Sequence, residues 1–307
     1  MDCALFDIDG VLVDIRRSYN EAIKRTVEFV LEQTTGKRYI NLVTDQLILR
    51  FRQSGGFNND TDTSYAIALA AMANMQDTTK TRKFLFKVAE NADETGIFSV
   101  EKYLSTYGVE KHKEVLAYPA PVKESYIGRV FDELFYGPHL FKKQNGLAPK
   151  YCKVKRPLIA NDRVVVRKET MKLLYKRFSG NLAIVSGRSK LAAEYSLAPV
   201  MKYFNLSACV FLEDESRAHA KPNPYAVKKA MQTMSAKSAV YAGDSAEDMM
   251  MARRAQREGG LDIAFVGVYG LSSEPSKTLR QFKEQGADTV TRNVNSLPLL
   301  LNKVSWA

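Results

Sequence analysis

Hydrophobic positions along the chain follow two rhythms. The run 2–6 (DCALF) predicts a short buried strand, and 7–14 (DIDGVLVD) reads as the turn after it. Ser18 then caps a predicted helix to about Leu31, with Ala22, Ile23, Val27, Val30 and Leu31 at helical spacing. From about 36 to 157 helical segments dominate, near 43–53, 63–75, 79–90 and 122–135, and loops with Gly, Pro, Asn and Asp separate them. No strand alternation interrupts this stretch.

From about Asn161 the rhythm changes. Apolar runs at 182–185, 208–212, 239–242, 263–268 and 288–291 predict strands. Helical patterns at about 167–178, 189–197, 224–234, 246–257 and 277–284 alternate with them, and a last helix closes the chain. Such alternation predicts βα units and a parallel sheet with helices on both faces. The strand at 2–6 most simply joins the same sheet. The expectation is an α/β, Rossmann-like core of residues 1–16 and 160–307, interrupted by a large, mainly helical cap of residues 17–159.

The chain's 307 residues suit two domains, and 45% hydrophobic with 26% charged residues excludes a disordered tail or a collagen-like repeat. The formal net charge of +11 points towards phosphate-bearing partners. Between Phe141 and Gly180, twelve basic residues face only Asp162 and Glu169, so most of the excess belongs to one segment. Cys3, Cys152 and Cys209 are odd in number and far apart, which fits neither a disulfide framework nor a zinc knuckle. The N-terminus lacks the basic-then-apolar order of a signal peptide, and no run approaches the roughly 20 apolar residues of a membrane span. A cytoplasmic location with no membrane partner is expected.

In a parallel α/β sheet, ligands collect beyond the carboxyl ends of the strands. Asp7 and Asp9 follow the first predicted strand; Ser186, Gly187 and Arg188 follow the second. Lys221 and Pro222 lie in the next loop, and Gly243, Asp244, Ser245 and Asp248 follow the strand at 239–242. Close carboxylates repel unless a cation lies between them, and oxygen ligands suit magnesium. Asp7 can then act as a nucleophile on phosphorus, Asp9 as general acid and base, and Lys221 with Ser186 as donors to the phosphoryl oxygens. Each fragment alone reads as an ordinary turn or helix cap; all four in order, each after a strand, do not.

These residues resemble the haloacid dehalogenase superfamily of hydrolases. The resemblance rests on Asp7-Ile8-Asp9-Gly10-Val11-Leu12-Val13-Asp14, Ser186 after an apolar strand, Lys221-Pro222-Asn223-Pro224, and Gly243-Asp244-Ser245-Ala246-Glu247-Asp248. It covers roughly 1–35 and 160–295. It implies a Rossmann-like core, a Mg2+ ion and an aspartyl-phosphate intermediate. Asp7 is then nucleophile and metal ligand, and Asp9 is the acid/base with its backbone carbonyl on the metal. Ser186 and Lys221 bind the phosphoryl group, Asp244 is a metal ligand and Asp248 a supporting one. An acid at position 9 favours phosphate esters over halides or phosphonates. Only 35 residues separate Ser186 from Lys221, so the insertion lies after the first motif, as in the subfamily with a helical cap there.

In the cap, the Gly55-Gly56-Phe57-Asn58-Asn59-Asp60 segment offers a hinge, an aromatic face and polar tips; it reads equally as a loop in which Asp60 caps the next helix. Asn58, Asn59, Gly187 and Arg188 are candidate substrate-binding residues, with Arg188 as readily a solvated side chain. The expected function is a magnesium-dependent phosphatase acting on a small phosphorylated metabolite, as a monomer or homodimer. The alternatives are a phosphotransferase or sugar-phosphate mutase of the same superfamily, and a nucleic-acid-binding protein using the basic 142–177 segment. With few aromatics in that segment and an intact catalytic set, nucleic acid is disfavoured as a partner.

Overall fold

The computed structural model describes residues 1–57 and 59–303. They divide into two compact units, Met1–Asp14 with Arg163–Ala307, and Ile15–Asp162. The chain opens with β1 (Cys3–Phe6) and the two-residue β2 (Val13–Asp14). The second unit follows as α1 (Tyr19–Thr35), α2 (Asp45–Gln53), α3 (Asp60–Ala73), α4 (Thr78–Glu90), α5 (Ile97–Leu104), α6 (Glu110–Leu116) and α7 (Tyr126–Asn145). The first unit resumes with β3 (Arg163–Val164), α8 (Lys168–Arg177), β4 (Leu182–Ser186), α9 (Lys190–Leu197), β5 (Val210–Phe211) and α10 (Tyr225–Thr233). It ends with β6 (Ser238–Gly243), α11 (Ala246–Gly259), β7 (Asp262–Val268), α12 (Pro275–Glu284), β8 (Thr289–Thr291) and α13 (Leu297–Lys303).

The central sheet has six strands in the order β5-β4-β1-β6-β7-β8, every neighbouring pair parallel. β1 and β4 are buried along their whole length, which is why they read as continuous apolar runs rather than alternating ones. Leu5, Val185, Tyr241 and Phe265 pack against Val227 and Met231 of α10 and Met251 and Ala255 of α11. The chain goes to β4 on one side of β1 and to β6 on the other. Phe6 stands level with both Ile184 and Ala242. The residues just past these strands therefore emerge side by side. β2 and β3 form a separate antiparallel pair, closed by an ion pair of Arg163 with Asp14.

In the helical unit, α3 (DTDTSYAIALAAMA) is buried on nearly every face, as its apolar, alanine-rich sequence requires. Asn59, Asp77 and Ser125 cap α3, α4 and α7 through their side chains. α7 continues to Asn145, past the sequence-predicted stop near 135. The break is at Gly137 (φ 65°, ψ 174°), and the helix resumes with Pro138 in its first turn, where a missing N–H costs nothing. Glu133 of α7 is fully buried. Its carboxylate accepts the backbone N–H groups of Lys150, Tyr151 and Cys152 at 2.6, 2.7 and 2.7 Å and Arg129 Nε at 3.0 Å. It thereby pins the loop after α7. Lys142, Lys143, Lys150, Lys153, Lys155 and Arg156 are exposed in this stretch, and Lys168, Lys172 and Lys176 lie on the solvent face of α8. Burial pushes the thiols of Cys3 and Cys152 up to about 12 and that of Cys209 up to about 11.

Asp132 sits beside Glu133, buried, and accepts from Asn145 Nδ2 at 3.1 Å. Burial pushes its carboxyl from 3.8 up to about 7, with Asn145 opposing and the Glu133 charge adding. An acid whose folded value is raised costs stability once the unfolded chain ionises, so stability falls as pH rises from about 4 to about 7. Asp132→Asn is expected to remove that slope. Urea unfolding at about pH 8 should show the variant more stable by about 1–3 kcal/mol, and at about pH 4 no gain. Equal stability at both values would count against a raised Asp132 carboxyl.

Candidate active site

The turn after β1 carries Asp7 and Asp9. Asp7 is 4% exposed and its N–H continues the sheet to Ala242 O at 3.0 Å. Gly10 closes the turn with φ 73°, and a Cβ there would lie 1.9 Å from Asp244 Oδ2. A side chain at position 10 would drive the two acidic turns apart, so glycine is required by both conformation and contact.

The turn after β6 carries Asp244, and Asp248 stands in the first turn of α11. Asp248 is fully buried and uses both oxygens. Oδ2 accepts from Ser245 Oγ at 2.7 Å and from the Ser245 and Asp244 N–H groups at 3.1 and 3.2 Å; Oδ1 accepts from Tyr241 Oη at 2.6 Å. With Ser245 as N-cap this is a capping box, so the helix-start reading of this motif holds.

Lys221 bridges the two acidic turns. Its side chain is 2% exposed, with Nζ 2.9 Å from Asp7 Oδ1 and 2.6 Å from Asp248 Oδ1. Burial alone would lower the Lys221 ammonium, but the two carboxylates hold it well above its ordinary value, so it stays charged. Burial works against ionised Asp248 too, yet Lys221, Tyr241 and Ser245 keep it below the usual carboxylate range. Asp7 goes the other way. Burial pushes it up to about 7, Lys221 opposes, and the charges of Asp248 and Asp9 add to the rise. One oxygen from each of Asp7, Asp244 and Asp248 lies within 4.8 Å of the others. This donor set is carboxylate oxygen alone, the chemistry of a hard divalent cation. A buried Asp7 that resists ionisation in its absence fits such an ion.

Ser186 ends β4, fully buried beside Asp7's strand, and Gly187 makes the bend that follows. Arg188 differs from expectation. It is neither a solvated side chain nor one open to a ligand: at 2% exposure it is among the largest fully buried side chains. Its Nε and Nη2 lie 2.7 and 2.6 Å from Asp9 Oδ1, and Nη1 donates to Ser196 Oγ at 2.9 Å. The structure thus gathers Asp7, Asp9, Ser186, Lys221, Asp244 and Asp248 at one edge of the sheet. Ser245 joins them through Asp248, and Tyr241 does so without having been singled out in the sequence; a tyrosine inside a strand gives no sign that its hydroxyl reaches a carboxylate. Asn59 belongs to the helical unit, where its side chain accepts from Thr61 and Asp62 N–H as the cap of α3. Asn58 lies outside the described residues.

The family model for haloacid dehalogenase-like hydrolases matches residues 1–256, and this chain belongs to that family. Such hydrolases typically use a divalent metal, and the insertion after the first motif is consistent with subfamily I. Among solved structures, a structural-genomics target superposes with a TM-score of 0.62 at 15% identity, over 98% of each chain. A protein assigned as a haloacid dehalogenase-like hydrolase from Bacteroides fragilis superposes with a TM-score of 0.51 at 17% identity, over 96% of this chain and 99% of its own. Both share the fold. No curated protein matches the chain in sequence. Among the described residues, no helix is long and apolar enough to cross a membrane.

Proposed function

We propose that the protein is a magnesium-dependent phosphatase that hydrolyses a small phosphorylated metabolite through an aspartyl-phosphate on Asp7. The observation that carries this reading is the buried cluster in which Lys221 joins Asp7 to Asp248, with Asp244 beside them and Ser186 on the adjacent strand. Asp7, Asp244 and Asp248 would hold the ion, the last mainly as their support. When bound, it neutralises charge so that a phosphate dianion and the Asp7 carboxylate can meet.

Asp7 attacks phosphorus while the ester oxygen leaves, and Asp9 gives that oxygen its proton. Lys221 Nζ and Ser186 Oγ donate to the phosphoryl oxygens as their charge grows. Asp9, now a carboxylate, takes a proton from water. The hydroxide attacks the acyl-phosphate, which frees Asp7 and inorganic phosphate. The basic 142–177 segment takes no part in these steps.

The test is a screen of phosphorylated metabolites and para-nitrophenyl phosphate with Mg2+ present. Phosphate release that stops with EDTA and returns with excess Mg2+ supports the reading. Undiminished turnover in EDTA, or none on any ester, overturns it. Transfer to an added sugar phosphate in place of release to water would make the protein a phosphotransferase.

A further inference from the structure

We infer that Arg188 is a positioning residue for Asp9: it fixes the carboxyl by one oxygen and so decides which oxygen faces the leaving group. The inference rests on the phosphatase reading above and assigns a part to a residue outside its four motifs.

The geometry is that of a clamp held at both ends. Nε and Nη2 both meet Asp9 Oδ1, at 2.7 and 2.6 Å, while Nη1 is tied to Ser196 Oγ of α9 at 2.9 Å. The Arg188 N–H also points to Ser186 Oγ, at 3.4 Å, so one short turn serves both the phosphoryl contact and the acid. Exposure separates the two partners: the Arg188 side chain is 1% exposed and that of Asp9 25%. The guanidinium is sealed beneath the carboxyl, and the carboxyl has an open face.

A guanidinium carries donors only. An oxygen that accepts Nε–H and lies 2.6 Å from Nη2 of the same cation is the poorer place for a proton. When Asp9 is protonated, the proton therefore sits on Oδ2, and Oδ1 stays an acceptor. A carboxyl at the end of one rotatable Cβ–Cγ bond would otherwise present either oxygen. Arg188 removes that freedom, and Ser196 keeps the guanidinium from following Asp9 if it turns.

The experiment compares wild type, Arg188→Met, Arg188→Lys, Ser196→Ala, Asp9→Asn and Asp9→Asn with Arg188→Met, on para-nitrophenyl and phenyl phosphate with Mg2+. Para-nitrophenolate leaves readily unprotonated, whereas phenolate needs a proton more. Arg188→Met is expected to lower kcat roughly tenfold on the first ester and about a hundredfold or more on the second, with KM nearly unchanged. Arg188→Lys should recover part of the loss. In the Asp9→Asn background, Arg188→Met should cost no more than about twofold, because the group it acts through is gone.

Equal losses on both esters, or a full loss added on top of Asp9→Asn, would mean that Arg188 serves the fold alone. A raised KM at unchanged kcat would mean that it meets substrate. If Arg188→Met fails to fold, Ser196→Ala carries the test, with a smaller loss expected of the same ester dependence; no ester dependence there overturns the inference. If wild type cleaves neither ester nor any metabolite, the phosphatase reading itself falls, an outcome separate from these.

Discussion

Asp7→Asn is expected to abolish turnover of every ester the protein accepts, by about 10⁴-fold or more. The substitution keeps the size of the side chain and its place after β1, but an amide lacks the charge and the lone-pair basicity to attack phosphorus. Asp7 is 4% exposed, so no water or neighbouring carboxylate replaces it without rearrangement. Stability should not fall with activity. Burial already pushes the Asp7 carboxyl up to about 7, and Lys221 keeps Asp248 as counter-ion. Phosphate release and a urea melt on one preparation check both halves. Activity within tenfold of wild type would sink the covalent mechanism.

Lys221→Met should damage both turnover and stability. Its ammonium lies between two buried carboxylates, and removing one partner of such a set costs roughly 3–5 kcal/mol because charge is left buried without compensation. The pH dependence gives the sign. In wild type, Asp248 is held below its ordinary value, so its contribution is present at neutral pH and lost only as pH falls. Without Lys221 that depression disappears and burial dominates. The variant should then weaken as pH rises from about 4, the reverse of the Asp248 contribution in wild type. Urea unfolding in EDTA at two pH values reads this directly. A loss below about 1 kcal/mol at neutral pH would show that Lys221 is not the counter-ion the geometry makes it.

Much of the α/β unit was legible because the signal is local. Apolar runs gave β1, β4, β6 and β7, and the polar residues after β1, β4 and β6 gave most of the cluster that the structure gathers, since a parallel sheet sends those positions to one edge. The strand read at 208–212 is only Val210–Phe211. What stayed hidden depended on distant partners. Nothing near Arg188 distinguishes a solvated arginine from a buried one, because Asp9 lies 179 residues earlier. Glu133 reads as a helix-surface acid, and only the loop at 150–152 makes it a buried anchor. α5 and α6 were missed for another reason. They have eight and seven residues, and α6 (EKHKEVL) buries only Leu116, too little for a helical period. The helix expected to stop near 135 runs on because Gly137 takes the break and Pro138 begins a new turn.

The state of the three cysteines bears on the chemistry as well as on packing. With their thiols raised to about 11 and 12, Cys3, Cys152 and Cys209 hold almost no thiolate at neutral pH. Peroxide and alkylating agents act through the thiolate. In the mechanism proposed above the nucleophile is a carboxylate and the thiols stay protonated, so thiolate-directed oxidants find no reactive group in its steps. Under the phosphatase reading proposed above, hydrogen peroxide at levels that silence cysteine-dependent phosphatases should leave turnover of para-nitrophenyl phosphate unchanged.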